Sequence, residues 1–176
     1  PHEDRKPSRN IMRAMQPVLD RMVHDAAKLD DLRDLLRILD ADRQNLSGEY
    51  LLNSYDTWNT LTAMYEAHYS ESSMLDYFWS WRALFGSVFS VLLCPLPDAG
   101  VYHTLCTGYA GLLAARARIE KHRPVILTEH GIYTSERRIE IASADWLEET
   151  ASSQLTIDTL RNDLRDLWID AFTNFS

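Results

Sequence analysis

A chain of 176 residues that is 45% hydrophobic suits one domain with a real core and is too short for two large ones. Its formal charge of −8 excludes a general nucleic-acid binder, because affinity for phosphate backbones rests on clustered Lys and Arg. The polar opening, residues 1–9, has no apolar core of a signal peptide. The most apolar stretch, Ala83 to Pro97, falls short of the roughly 18 to 20 residues that span a bilayer. The expectation is a cytoplasmic protein with no membrane span.

In chain order, residues 11–45 carry Leu29, Leu32, Leu35, Leu36 and Leu39 at helical spacing with Asp and Arg between them, which predicts amphipathic helices. Gly48 reads as a break. From Tyr50 to Tyr69 the pattern resumes through Tyr55, Trp58, Leu61, Thr62 and Tyr65. Ser70-Glu-Ser-Ser73 supplies capping residues for a long helix from Met74 to Leu93. That helix is dense in Tyr77, Phe78, Trp79, Trp81, Phe85 and Phe89; core packing is the favoured reading over a sugar or nucleobase platform.

Pro95-Leu-Pro-Asp-Ala-Gly100 ends the helical part. Val101 to Cys106 reads as a strand, Tyr109 to His122 as a helix and Pro124 to Thr128 as a second strand. Strand, helix and strand in so short a span make a βαβ unit, with parallel strands and a right-handed crossover. Two strands make a poor sheet, so others are expected outside this chain. A final amphipathic helix is predicted over Leu155 to Phe175. The fold class is therefore α/β, with residues 1–95 mainly helical and residues 96–176 holding the βαβ part. Cys94 and Cys106 have neither CxxC nor Cys/His spacing and read as buried free thiols of a reducing compartment.

Polar residues gather where the second strand ends: Glu129, His130, Tyr133, Glu136, Arg137 and Arg138. In open α/β sheets ligands bind just beyond the carboxyl ends of the strands. There an imidazole at His130, beside the turn-permitting Gly131, can hydrogen-bond a hydroxyl or stabilise developing positive charge. Glu129 is a general base or the orienting partner of an Arg. Arg137 or Arg138 can grip a phosphate with Glu136 holding that Arg in place, or any one of them can belong to a surface ion pair. Thr107-Gly108 opens the connecting helix, where free N–H groups suit a phosphate or carboxylate, or where glycine simply permits tight packing. His103 lies inside the first strand as a core or a catalytic histidine. Neither GxGxxG, a P-loop, HExxH, an Asp-rich metal loop nor a Ser/His/Asp elbow occurs, so protease, lipase and zinc-hydrolase readings lack support.

The segments Asp98 to Leu113 and Arg123 to Ile141 resemble the N-terminal region of the PelF-like family-four glycosyltransferases of Pel exopolysaccharide biosynthesis. The likeness is most specific at Thr128-Glu-His-Gly-Ile-Tyr133 and Gly108-Tyr-Ala-Gly111; Tyr77 to Arg82 and Leu167 to Ile169 are similar too, so it spans residues 50–170. It implies a partial Rossmann-like N-terminal domain of a retaining GT-B enzyme, with a large helical portion. His130 and Glu129 would be catalytic, His130 at the donor sugar. Gly131, Tyr133, Glu136 and Arg137 would bind acceptor or phosphate, and His103, Thr107 and Gly108 would face the same cleft. The substrates implied are a UDP-sugar and a growing polysaccharide, with no cofactor or metal, and the partners are inner-membrane proteins of Pel synthesis. The family's nucleotide-binding domain has no counterpart in these residues, so the chain alone is expected to be inactive.

The competing reading is a non-catalytic helical interaction module. It requires several of Trp58, Trp79, Trp81, Phe85 and Phe89 to be exposed together.

Overall fold

In the computed structural model the described residues are 10–24, 28–129, 131, 135, 136 and 139. Helix α1, Ile11–His24, turns Ile11, Met12, Met15, Val18, Leu19, Met22 and Val23 inward, and α2, Leu29–Asp40, adds Leu32, Leu35, Leu36 and Leu39. Asp31 joins the two. Its carboxylate accepts from the Lys28 backbone N–H at 2.9 Å and from Arg21 Nη2 at 2.7 Å. The Lys28 bond, helped by Arg21 and opposed by burial, holds the Asp31 pKa below the usual carboxylate range.

Helix α3, Gly48–Asn53, begins at the glycine expected to interrupt the helical pattern. The break between the helical blocks falls just before it, and Ser47 caps the new helix, its Oγ accepting from the Tyr50 N–H at 3.0 Å. Ser54 likewise caps α4, Tyr55–His68, and Ser73 caps α5, Met74–Leu93, whose bounds agree with the predicted ones. Helix α5 is the spine of the fold. It buries Tyr77, Trp81, Leu84, Phe85, Val88, Phe89 and Leu92, and packs on α3 and α4. No helix among the described residues is long and apolar enough to cross a membrane.

Beyond the proline break come β1, Tyr102–Thr104, then α6, Tyr109–Lys121, then β2, Val125–Leu127. The strands pair in parallel with Tyr102 opposite Val125, His103 opposite Ile126 and Thr104 opposite Leu127. Helix α6 packs on both strands and on α5. The molecule is thus mostly helical, and its α/β character rests on this one βαβ unit. Among the described residues the sheet has two strands, and Ile126 and Leu127 stay exposed. The predicted helix over residues 155–175 lies outside the described residues. Both cysteines are free and half-buried.

A buried clamp ties the βαβ unit to the helices. Arg116 on α6, only 2% exposed, donates to Glu120 Oε1 at 2.8 Å and Oε2 at 3.1 Å, and also to the carbonyls of Val91 and Cys94 at 2.6 and 2.7 Å. Arg43, in the 3₁₀ turn after α2, reaches Glu120 Oε1 at 3.1 Å and the Leu92 carbonyl at 2.9 Å. The two guanidinium groups thereby satisfy carbonyls that the C-terminus of α5 leaves without helical partners.

Desolvation is the largest single influence on Glu120 and raises its pKa, but the hydrogen bonds and charges of Arg116 and Arg43 together outweigh it and leave the pKa lowered. Glu120 and Asp31 are thus both depressed on folding. Their stabilisation is complete above the unfolded carboxylate range of about 4 and disappears as pH falls through the folded values. Urea midpoints measured from pH 7 to pH 3 should fall on the acid side, and Glu120→Gln should flatten that fall.

Candidate active site at the carboxyl ends of the paired strands

Parallel pairing puts the carboxyl ends of β1 and β2 side by side, so the loops that follow them share one edge of the sheet. After β1 the chain turns through Leu105, Cys106 and Thr107 into Gly108, which caps α6 at φ 67° and ψ −133°. That backbone conformation is open to glycine and strained for a residue with a Cβ. Thr107 is only 5% exposed and its Oγ1 has no hydrogen-bond partner among the described residues, as is also true of Thr104 Oγ1. A buried hydroxyl without a partner beside the free N–H groups of a helix start is suited to an oxygen-rich or anionic group.

His103 is exposed, which excludes the core-histidine reading. Its Nε2 shares a hydrogen bond of 2.9 Å with Thr128 Oγ1, just beyond β2, which bridges the two strand ends and fixes the imidazole. Glu129 follows in the open. At Gly131 the Glu136 side chain folds back so closely that an added Cβ would lie 3.2 Å from Glu136 Cδ and closer still to Oε1. The neighbour is the flexible end of an exposed side chain, which could shift to make room.

Of the residues predicted to act, His103 lies in β1, and Thr107, Gly108, Glu129, Gly131 and Glu136 follow the carboxyl ends of the strands. His130, Tyr133 and Arg137 lie outside the described residues. Thr128 and Thr104 were not singled out in the sequence. Their roles depend on strand register, which no local pattern shows. At the other end of the strands Asp98, Ala99, Gly100, Tyr102, Lys121 and Arg123 line an open cleft of about 460 Å³, crossed by a Lys121–Asp98 ion pair at 2.8 Å. It lies at the amino ends, away from the predicted residues.

A parallel βαβ unit with a glycine turn and polar strand ends is of the α/β class, in whose open sheets ligands commonly bind beyond the carboxyl ends of the strands. The chain belongs to the family described as Domain of unknown function (DUF3492), whose model matches residues 2–176, a domain that occurs in glycosyltransferase-like proteins. No curated protein and no solved structure matches it.

Proposed function

We propose that this domain is the acceptor-side part of a cytoplasmic, retaining GT-B glycosyltransferase of the PelF-like type, which moves a sugar from a UDP-sugar to a growing exopolysaccharide. The observation that carries the reading is the gathering of His103, Thr128, Thr107, Gly108, Glu129, Gly131 and Glu136 at one edge of the βαβ unit. Family membership and the Thr128 to Tyr133 motif support it.

In this mechanism the bond from the anomeric carbon to the UDP oxygen breaks through an oxocarbenium-like state. The acceptor hydroxyl then attacks from the same face and its proton passes to the departing diphosphate. The nucleotide is held by a second domain. The strand-end loops contribute orientation and electrostatics at the sugar, each worth several kcal/mol of barrier when pre-organised. The fixed His103 imidazole and the buried Thr107 hydroxyl serve as polar contacts, and His130 and Glu129 serve at the reacting sugar.

The test is UDP-sugar turnover by the enzyme in which this domain is joined to its nucleotide-binding domain. His130→Ala and His103→Ala should each lower kcat by roughly 10²- to 10³-fold, as loss of one pre-organised donor does elsewhere, with UDP binding retained. Unchanged turnover in both would remove these loops from the mechanism.

One observation favours the interaction-module reading. Trp58 and Trp79 are 47% and 60% exposed and are joined through the Phe78 ring at 6.2 and 5.1 Å, with Tyr55 and Leu75 also exposed. Trp81, Phe85 and Phe89 are buried, however, so most of the aromatic run is core. An enzyme with its nucleotide domain intact but no turnover on any common UDP-sugar would turn the balance toward docking.

A further inference from the structure

Far from the strand ends, the last turn of α1 meets the end of α4. Asp20 and His24 stand four residues apart on one face of α1, and α1 packs against α4, whose last residue is His68. His68 Nε2 lies 3.1 Å from Asp20 Oδ1, and His24 Nε2 lies 3.8 Å from the same oxygen. One ligand atom from each residue falls within 4.8 Å of the other two. A tetrahedral ion with bonds of about 2.0 to 2.2 Å sets its ligand atoms about 3.3 to 3.5 Å apart, a spacing the two Asp20 distances bracket. The imidazole rings face each other with centroids 4.0 Å apart. Both rings present Nε2 toward the same Asp20 carboxylate oxygen.

Two buried atoms point to something more than a pair of surface histidines. Asp20 Oδ1 is buried and has no hydrogen-bond partner among the described residues, although His68 Nε2 shares a hydrogen bond of 3.3 Å with Oδ2 of the same carboxylate. The Tyr77 hydroxyl, on a side chain with no exposed surface, also lacks a partner. Buried polar atoms are ordinarily satisfied, and each exception calls for a physical explanation.

We propose that Asp20, His24 and His68 form a binding site for a divalent transition metal of the zinc type, with a fourth position open to water beside Tyr77. Two imidazole nitrogens and one carboxylate oxygen suit zinc. Magnesium and calcium require oxygen-rich sets that these residues do not supply. The metal would join α1 to α4 across a sequence gap of 48 residues and give the buried Asp20 Oδ1 a ligand bond. The Tyr77 phenol would donate to the metal-bound water or to Asp20, the outer-shell role that orients ligands in such sites.

The experiment is a titration of the wild-type chain with Zn²⁺ alone at pH 7.5, in competition with a chromophoric chelator, alongside thermal unfolding with Zn²⁺ or Mg²⁺. One Zn²⁺ should bind per chain and raise Tm, and Mg²⁺ should do neither. His24→Gln and His68→Gln should each weaken Zn²⁺ binding by more than the roughly 10- to 100-fold that loss of an outer-shell partner costs, and Tyr77→Phe should stay within that range. His122→Gln, at the exposed end of α6, should bind as wild type does. Co²⁺ should give a visible spectrum of imidazole ligation that both glutamine variants lose, a readout independent of stability. The proposal is overturned if folded wild type binds no stoichiometric Zn²⁺, or if the folded His24→Gln and His68→Gln variants bind it with unchanged affinity.

Discussion

Arg116→Met is expected to cost about 3 to 5 kcal/mol of stability, the range for breaking a buried ion pair from one side. The methionine fills much of the same space, so the loss is electrostatic and hydrogen-bonding in origin. Glu120 would keep Arg43 as a cationic partner, and the Val91 and Cys94 carbonyls would lose their shared donor at the end of α5. In a protein of this size that corresponds to a fall in Tm on the order of 10 °C. Arg116→Met/Glu120→Leu should recover part of the loss, because no uncompensated carboxylate then remains buried. Urea unfolding of the three proteins checks this, and a cost under about 1 kcal/mol for the single variant would mean that Arg43 and water suffice. Because the clamp links α5 and α6, the single variant should also loosen the strand-end loops before global unfolding, visible as faster amide exchange in α6.

Trp81→Ala should be comparably severe, about 3 to 5 kcal/mol, the usual cost of truncating a large buried aromatic residue. Trp81 is fully buried, with ring centroids 4.8 Å from Phe85 and 6.3 Å from Phe89. The cavity would open in the middle of α5, where rings on both sides cannot collapse far. Trp81→Phe should stay within about 1 kcal/mol of wild type. It loses some volume, but it also removes the indole N–H, which has no partner, and a buried unsatisfied donor costs about 1 to 3 kcal/mol. Urea midpoints with unchanged m-values would separate the two substitutions. An alanine variant as stable as the phenylalanine one would show that the packing around residue 81 is loose.

Much of this architecture was legible because the signals are local. The bounds of α5 follow from Ser73 before it and the Pro95 and Pro97 break after it. The βαβ order follows from two short apolar runs flanking a helix of suitable length, and the glycine turn at Gly108 follows from its place between strand and helix. The burial of Arg116 was not legible: its carbonyl partners lie 22 and 25 residues earlier, and an arginine among alanines has the pattern of a solvated helix face.

By itself, then, the sequence determined the helices, their caps, the strand–helix–strand order and the set of polar residues at the strand ends, since each depends on side-chain period and on neighbours within a turn. Only the tertiary structure decided that His103 meets Thr128, that Thr107 is buried without a partner, that two arginines close the end of α5 and that His68 comes to Asp20 and His24. The reason is physical. These are encounters between residues far apart in the chain, fixed by strand register and helix packing, and no local spacing encodes them.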